Sequence, residues 1–142
     1  MELIYSVRNK IENFLYKNLF KRLFFLIDPE TIHDRMIKFG SFLGSNFITK
    51  NIVGFFFRYN NKALKQSILG MQFNNPVGLS AGFDKNALLT DILPSVGFGF
   101  AEVGSITGEY CEGNPKPRLF RLKKSNSLIV NYGLFNEGSS AI

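Results

Sequence analysis

The chain has 142 residues, 45% apolar and 20% charged, which suits one ordinary folded domain and excludes a low-complexity polymer. Its net charge of +6 resides in residues 1–65, where eleven basic groups face five acidic ones; residues 66–142 balance at six of each. A single cysteine, Cys111, excludes an internal disulfide, and the longest uncharged run (66–83) is interrupted by Gly, Asn and Pro, which excludes a spanning helix of about 20 apolar residues.

Residues 4–27 read as one amphipathic helix or two. Ile4, Val7, Ile11, Phe14, Leu15, Leu19, Leu23 and Leu26 recur at three-and-four spacing, with Arg8, Lys10, Lys17, Lys21 and Arg22 mostly off that stripe. The apolar run Leu23–Ile27 is too short, and too closely flanked by charge, for a secretory signal. Asp28-Pro29-Glu30 is a helix start, with Asp as cap, Pro in the first turn and an acid beside it. A second helix is expected over 29–44, weakened at its end by Gly40 and Gly44, and a third over 47–57.

Ten of the sixteen phenylalanines also fall before residue 66, so a compositional boundary is set there. Two readings of 1–65 stand side by side. One is a helical module lying on a membrane, its basic groups toward anionic headgroups and its Phe and Leu in the acyl boundary. The other is a helix hairpin packed on the rest of the protein. Nucleic acid is not expected as a partner, because helical Phe spacing suits a buried face better than a stacking row.

Beyond residue 65 the period changes. Gln66–Leu69 and Met71–Phe73 are short strands around Gly70, and Val77–Ala81 is a strand of buried type. A helix is expected from about Asn86 to Val96, then a strand over Phe100–Gly104, which makes a parallel strand–helix–strand unit. Residues 107–117 form a loop. Arg118–Leu122 and Ser127–Val130 are expected to pair as a hairpin, and Asn136–Ile142 to begin a helix.

Chemistry concentrates where strands end. Residues 80–86 place small side chains and Lys85 at a strand-to-helix junction, the edge that hosts ligands in parallel α/β folds. Small residues admit a flat ring or a phosphate to the backbone, and a lysine holds an anion or polarises a reacting group. A plain turn with a solvated lysine fits the same spacing. Gly104 and Ser105 occupy the equivalent edge one unit later. The facing of Arg118 and Arg121 is left open by the pattern.

The runs NPVGLSAGFDKN (75–86), GFGFAEVGSIT (97–107) and GNPKPRLFRL (113–122), in this order and spacing, resemble dihydroorotate dehydrogenase. LIDPETIHD (26–34) resembles the N-terminal extension of the quinone-linked, membrane-associated class 2. The resemblance implies an α/β fold: a partial TIM (β/α)8 barrel, its first two βα units at 66–142, preceded by a helical membrane-associating and quinone-tunnel module at 1–65. It implies FMN on Ala81, Gly82, Phe83, Asp84, Lys85 and Ser105. It also implies dihydroorotate or orotate on Lys85, Asn131, Tyr132, Gly133 and Leu134, and a quinone near His33 and Arg121. No metal is called for.

Dihydroorotate would be oxidised to orotate in UMP biosynthesis, at the cytoplasmic face of the inner (cell) membrane, to which the chain would bind peripherally. The catalytic base is expected in a loop beyond Ile142, so the chain is read as an incomplete enzyme, and Cys111 as an incidental thiol. Val130 stands where the family places a substrate Asn, with Asn131 one position later, and Ile106-Thr107-Gly108 replaces Val-Thr-Pro. Two alternatives remain: a class 1-type dihydroorotate or dihydropyrimidine dehydrogenase piece, favoured by Gly133-Leu134, and a non-catalytic amphipathic membrane-surface protein.

Overall fold

In a computed structural model, which describes residues 2–142, a helical N-terminal region leads into three small two-stranded sheets. Helix α1 (Glu2–Leu15) passes through a π-helical turn (Tyr16–Phe20) into α2 (Lys21–Phe24). The apolar stripe is formed as expected, but most of it stays exposed: Ile4, Val7, Ile11, Phe14 and Leu23 all face outward. No helix among the described residues is long and apolar enough to cross a membrane.

Helix α3 (Pro29–Gly44) begins as the sequence predicts. The Asp28 carboxylate accepts from the Thr31 backbone N–H at 2.9 Å and from its hydroxyl at 3.1 Å. Its glycines serve a purpose that spacing did not reveal. A Cβ on Gly40 would lie 2.6 Å from the Leu89 side chain, and one on Gly44 would lie 3.1 Å from Asp91 Cβ, so both allow close approach of the segment that follows β3. Helix α4 (Phe47–Phe57) is capped by Asn46, which accepts from Ile48 N–H at 2.7 Å. Arg8 on α1 donates to the carbonyls of Phe55 (3.3 Å) and Arg58 (3.2 Å) at the end of α4. An apolar groove of about 730 Å³ lies between the two helices.

Strands β1 (Gln66–Ile68) and β2 (Met71–Phe73) pair antiparallel across Leu69-Gly70, both at positive φ as a tight hairpin turn requires. Strands β3 (Gly78–Leu79) and β4 (Phe100–Ala101) pair in parallel, Gly78 opposite Phe100. Each is shorter than the sequence suggests. Strands β5 (Leu119–Leu122) and β6 (Ser127–Val130) form the expected antiparallel hairpin.

Two expected helices are not formed. Between β3 and β4 only α5 (Leu93–Val96) is helical. Residues 81–92 turn instead, because the Asp84 carboxylate accepts from the N–H groups of Leu88 (3.0 Å) and Leu89 (2.8 Å) while Ala87 adopts a left-handed φ of 54°. At the C-terminus, Asn136 diverts the chain. Its buried amide oxygen accepts from Gly138 N–H at 2.9 Å, and Gly138 has a φ of 87°, which no helix permits. The core is small. Ile37, Leu89, Ile92 and Leu93 are buried, with Leu43, Val53, Leu79 and Phe98 packed against them.

Candidate functional site

The site begins where β3 and β4 end. Gly82 N–H donates to the Gly104 carbonyl at 3.0 Å, and Gly104 N–H donates to the Asp84 carbonyl at 3.1 Å, so the two strand ends form one rim. Both glycines have positive φ, 94° and 100°, a conformation that L side chains rarely adopt. Nothing lies within 4 Å of where a Cβ on Gly82 would project. Ala81, Gly82, Phe83 and Ser105 are exposed along this rim. Its backbone is open to a flat ring or a phosphate, as the small residues lead one to expect. Asp84 is different: its side chain is 1% exposed and is consumed by the turn that it caps, so only its carbonyl joins the rim.

Lys85 is half-buried behind the rim. Its ammonium sits 3.6 Å from the centroid of the Tyr132 ring. Here α3 meets the turn. His33 Nε2 lies 2.8 Å from the Phe83 carbonyl, and the two rings meet edge-on at 5.1 Å. A carbonyl only accepts, so Nε2 carries the proton. Together with Asp34, Lys38 and Glu137 these groups line a polar cleft of about 200 Å³. Burial pushes the Lys85 ammonium below the ordinary lysine range; the Asp34 carboxylate opposes this, Arg118 adds to it, and Glu30 and Asp84 oppose it.

Beneath Tyr132 lies a buried ion cluster. Arg118 donates through Nε to Glu30 Oε1 at 2.9 Å, with Nη2 on the same oxygen and Nη1 on the Glu112 carbonyl at 3.0 Å. Lys116 Nζ approaches Glu30 Oε1 at 3.2 Å. Burial alone would raise the Glu30 carboxyl, but the bonds from Arg118 and Lys116 outweigh it and hold the carboxyl below the usual range. Arg118 is raised, chiefly by its bond to Glu30. Tyr132 is 8% exposed, and burial, reinforced by Glu30 and Asp34, pushes its phenol well above the ordinary range.

The expected substrate segment is only partly drawn together. Tyr132 packs inward against Lys85, whereas Asn131, Gly133 and Leu134 are exposed. The Asn131 amide oxygen accepts from Asn114 Nδ2 at 2.8 Å. His33 lies against Phe83 and Tyr132, but Arg121 is held elsewhere: it donates to the Ile27 carbonyl at 2.7 Å and lies 4.6 Å over the Phe25 ring. Arg118 and Arg121, left open by the pattern, thus part company. Cys111 Sγ sits 3.6 Å from the Gly133 carbonyl, away from the rim. The sequence reading did not single out Glu30 and Asp34 as site-forming groups. Glu30 looked like an ordinary first-turn acid, and nothing in its neighbours announces a partner 88 residues away.

The family model "Dihydroorotate dehydrogenase" matches residues 63–142. A dihydroorotate dehydrogenase (quinone) of Christiangramia forsetii is 41% identical over 131 residues, covering 89% of this chain and 37% of that protein. The mitochondrial dihydroorotate dehydrogenase (quinone) of Mus musculus is 39% identical over 134 residues, covering 92% and 31%. The crystal structure of DHODH from Eimeria tenella in complex with ferulenol superposes with a TM-score of 0.67 at 36% identity, covering 81% of this chain and 28% of that one. The chain therefore spans about a third of the length of the curated relatives it matches.

Proposed function

Since the chain belongs to the dihydroorotate dehydrogenase family, we propose that it serves the FMN-dependent oxidation of dihydroorotate to orotate, in UMP synthesis, with a quinone as electron acceptor. The observation that carries this is Lys85, a desolvated cation directly behind an open rim of small residues. In the proposed architecture, β3 and β4 are the first two strands of a (β/α)8 barrel and the rim is part of its C-terminal mouth.

The rim residues fit a flavin. Ala81, Gly82, Phe83 and Ser105 would hold it, with the Gly82 backbone close to it and Lys85 at its edge. A flavin bound there would supply the hydride acceptor for dihydroorotate and a route for the electrons to the quinone. Lys85 would offset negative charge on such a ring and on the orotate carboxylate, and its partial burial would strengthen both interactions. The Tyr132 ring supports the Lys85 ammonium from below. His33, whose Nε2 proton is held by the Phe83 carbonyl, borders the cleft from the α3 side and would be the group nearest a quinone entering there.

The membrane reading for 1–65 is supported by the exposed stripe on α1 and α2 and by the excess of basic groups there. We place this surface peripherally at the cytoplasmic face of the cell membrane. In the full-length protein, Lys85→Ala is expected to lower dihydroorotate-dependent quinone reduction by about a hundredfold or more. Turnover within a few-fold of the parent would overturn the reading. Reduction of fumarate or NAD in place of quinone would instead favour the class 1-type alternative.

A further inference from the structure

Two cations share one aromatic ring in this fold. Lys85 Nζ lies 3.6 Å from the Tyr132 centroid, and the Arg118 guanidinium carbon lies 4.7 Å from it and 4.5 Å from the Phe135 centroid. Like charges this close repel unless one is neutralised locally. Glu30 supplies that neutralisation: it is 3% exposed, Arg118 is 5% exposed, and they are joined through two guanidinium nitrogens. The Tyr132 ring is not anchored at its far end, because its buried hydroxyl meets no hydrogen-bond partner among the described residues. The Asn114 N–H, donating to the Tyr132 carbonyl at 2.9 Å, holds the backbone, packing against Arg118 and Phe135 orients the ring, and Lys85 rests on that ring.

We propose that the buried Glu30–Arg118 pair is a positioning device for Lys85, acting through the Tyr132 ring, so that helix α3 sets both the place and the protonation of the cation at the flavin rim. This rests on the reading of Lys85 given above. Other titratable groups line the same cleft. Asp34, His33 and Lys38 do so from α3, and Asp84 from its own turn. Glu137 does so from the segment after β6, while Lys116 lies outside Arg118 on Glu30. Among these, Glu30 and Arg118 act on Lys85 in opposite senses: the carboxylate favours the ammonium and the guanidinium disfavours it. A residue with only a packing role has no such sign.

The test is the pH dependence of Lys85 acylation by acetic anhydride in the full chain, read on its peptide by mass spectrometry. Glu30→Gln leaves Arg118 uncompensated, so the Lys85 midpoint is expected to fall by about one pH unit. Arg118→Met removes the competing cation and leaves the carboxylate, so the midpoint is expected to rise by a similar amount. Asp34→Asn removes the charge that acts most strongly on the ammonium, and is expected to lower the midpoint by at least as much as Glu30→Gln does.

Arg118→Lys separates place from charge. It keeps the cation but loses the planar fork, so the midpoint stays near the parent value while acylation at the high-pH plateau becomes several-fold faster as the ring loosens. If Glu30→Gln fails to fold, the Arg118→Met and Arg118→Lys chains carry the test. Midpoints that do not move, or that move in the same direction in Glu30→Gln and Arg118→Met, overturn the proposal, as does a plateau rate unchanged in Arg118→Lys. These outcomes leave the flavin reading intact. The expected shifts alongside unimpaired turnover in Lys85→Ala would sink the flavin reading instead.

Discussion

The helical rod of α1 and α2 and the junction between α3 and β5 treat polarity in opposite ways. The rod exposes an unbroken apolar stripe, Ile4 to Leu23, to its surroundings. The junction buries Glu30 and Arg118, two of the most polar groups in the chain. The contrast teaches that burial follows available partners rather than hydrophobicity alone. Glu30 finds Arg118 and Lys116, whereas the stripe finds only an open groove beside α4.

The comparison breaks most decisively at Glu30. Glu30→Ala leaves Arg118 buried and unpaired, and is expected to cost about 3–5 kcal/mol in urea unfolding. A loss no larger than that of an exposed substitution would show that the junction is solvated. Asn136 is fully buried; its amide oxygen accepts from the Thr107 and Gly138 N–H groups, and its nitrogen donates to the Leu134 carbonyl. Asn136→Ala should cost about 2–3 kcal/mol in the same assay.

Acid sharpens the contrast further. The Glu30 carboxyl is lowered in the fold, so its stabilisation is complete above its unfolded value near 4.5 and is lost as pH falls through the lower folded value. Unfolding followed across that window should show a shallower acid decline in Glu30→Gln than in the parent. The smallest effect on stability belongs to the rod. Ile11→Ser should change stability by about 0.5 kcal/mol or less, yet weaken co-sedimentation with anionic vesicles several-fold. A core-sized loss of stability would mean that the stripe is covered in solution.

Much of the frame was legible from short-range signals. Asp28-Pro29 starts α3 because a cap and a preset φ act within one turn, and the short strands flanking Gly70 were legible for equally local reasons, although Leu69 belongs to the turn rather than to the strand. The rim was legible as well, since small residues beside a lysine mark a place where backbone must stay accessible. Of the helix expected over 86–96 only the last turn, Leu93–Val96, is formed, because the Asp84 carboxylate claims two N–H groups and Ala87 turns left-handed. Nothing in the local pattern outranks the helical reading there.

The sequence by itself determined where the small residues and the lysine of the rim fall and where α3 and the hairpins begin, because caps, turns and apolar periods are decided within a few residues. Only the tertiary structure decided that Glu30 would be buried, that Arg118 and Arg121 would separate, and that Tyr132 would turn inward beneath Lys85. Those outcomes depend on partners up to 94 residues away, whose charges and dipoles act through space.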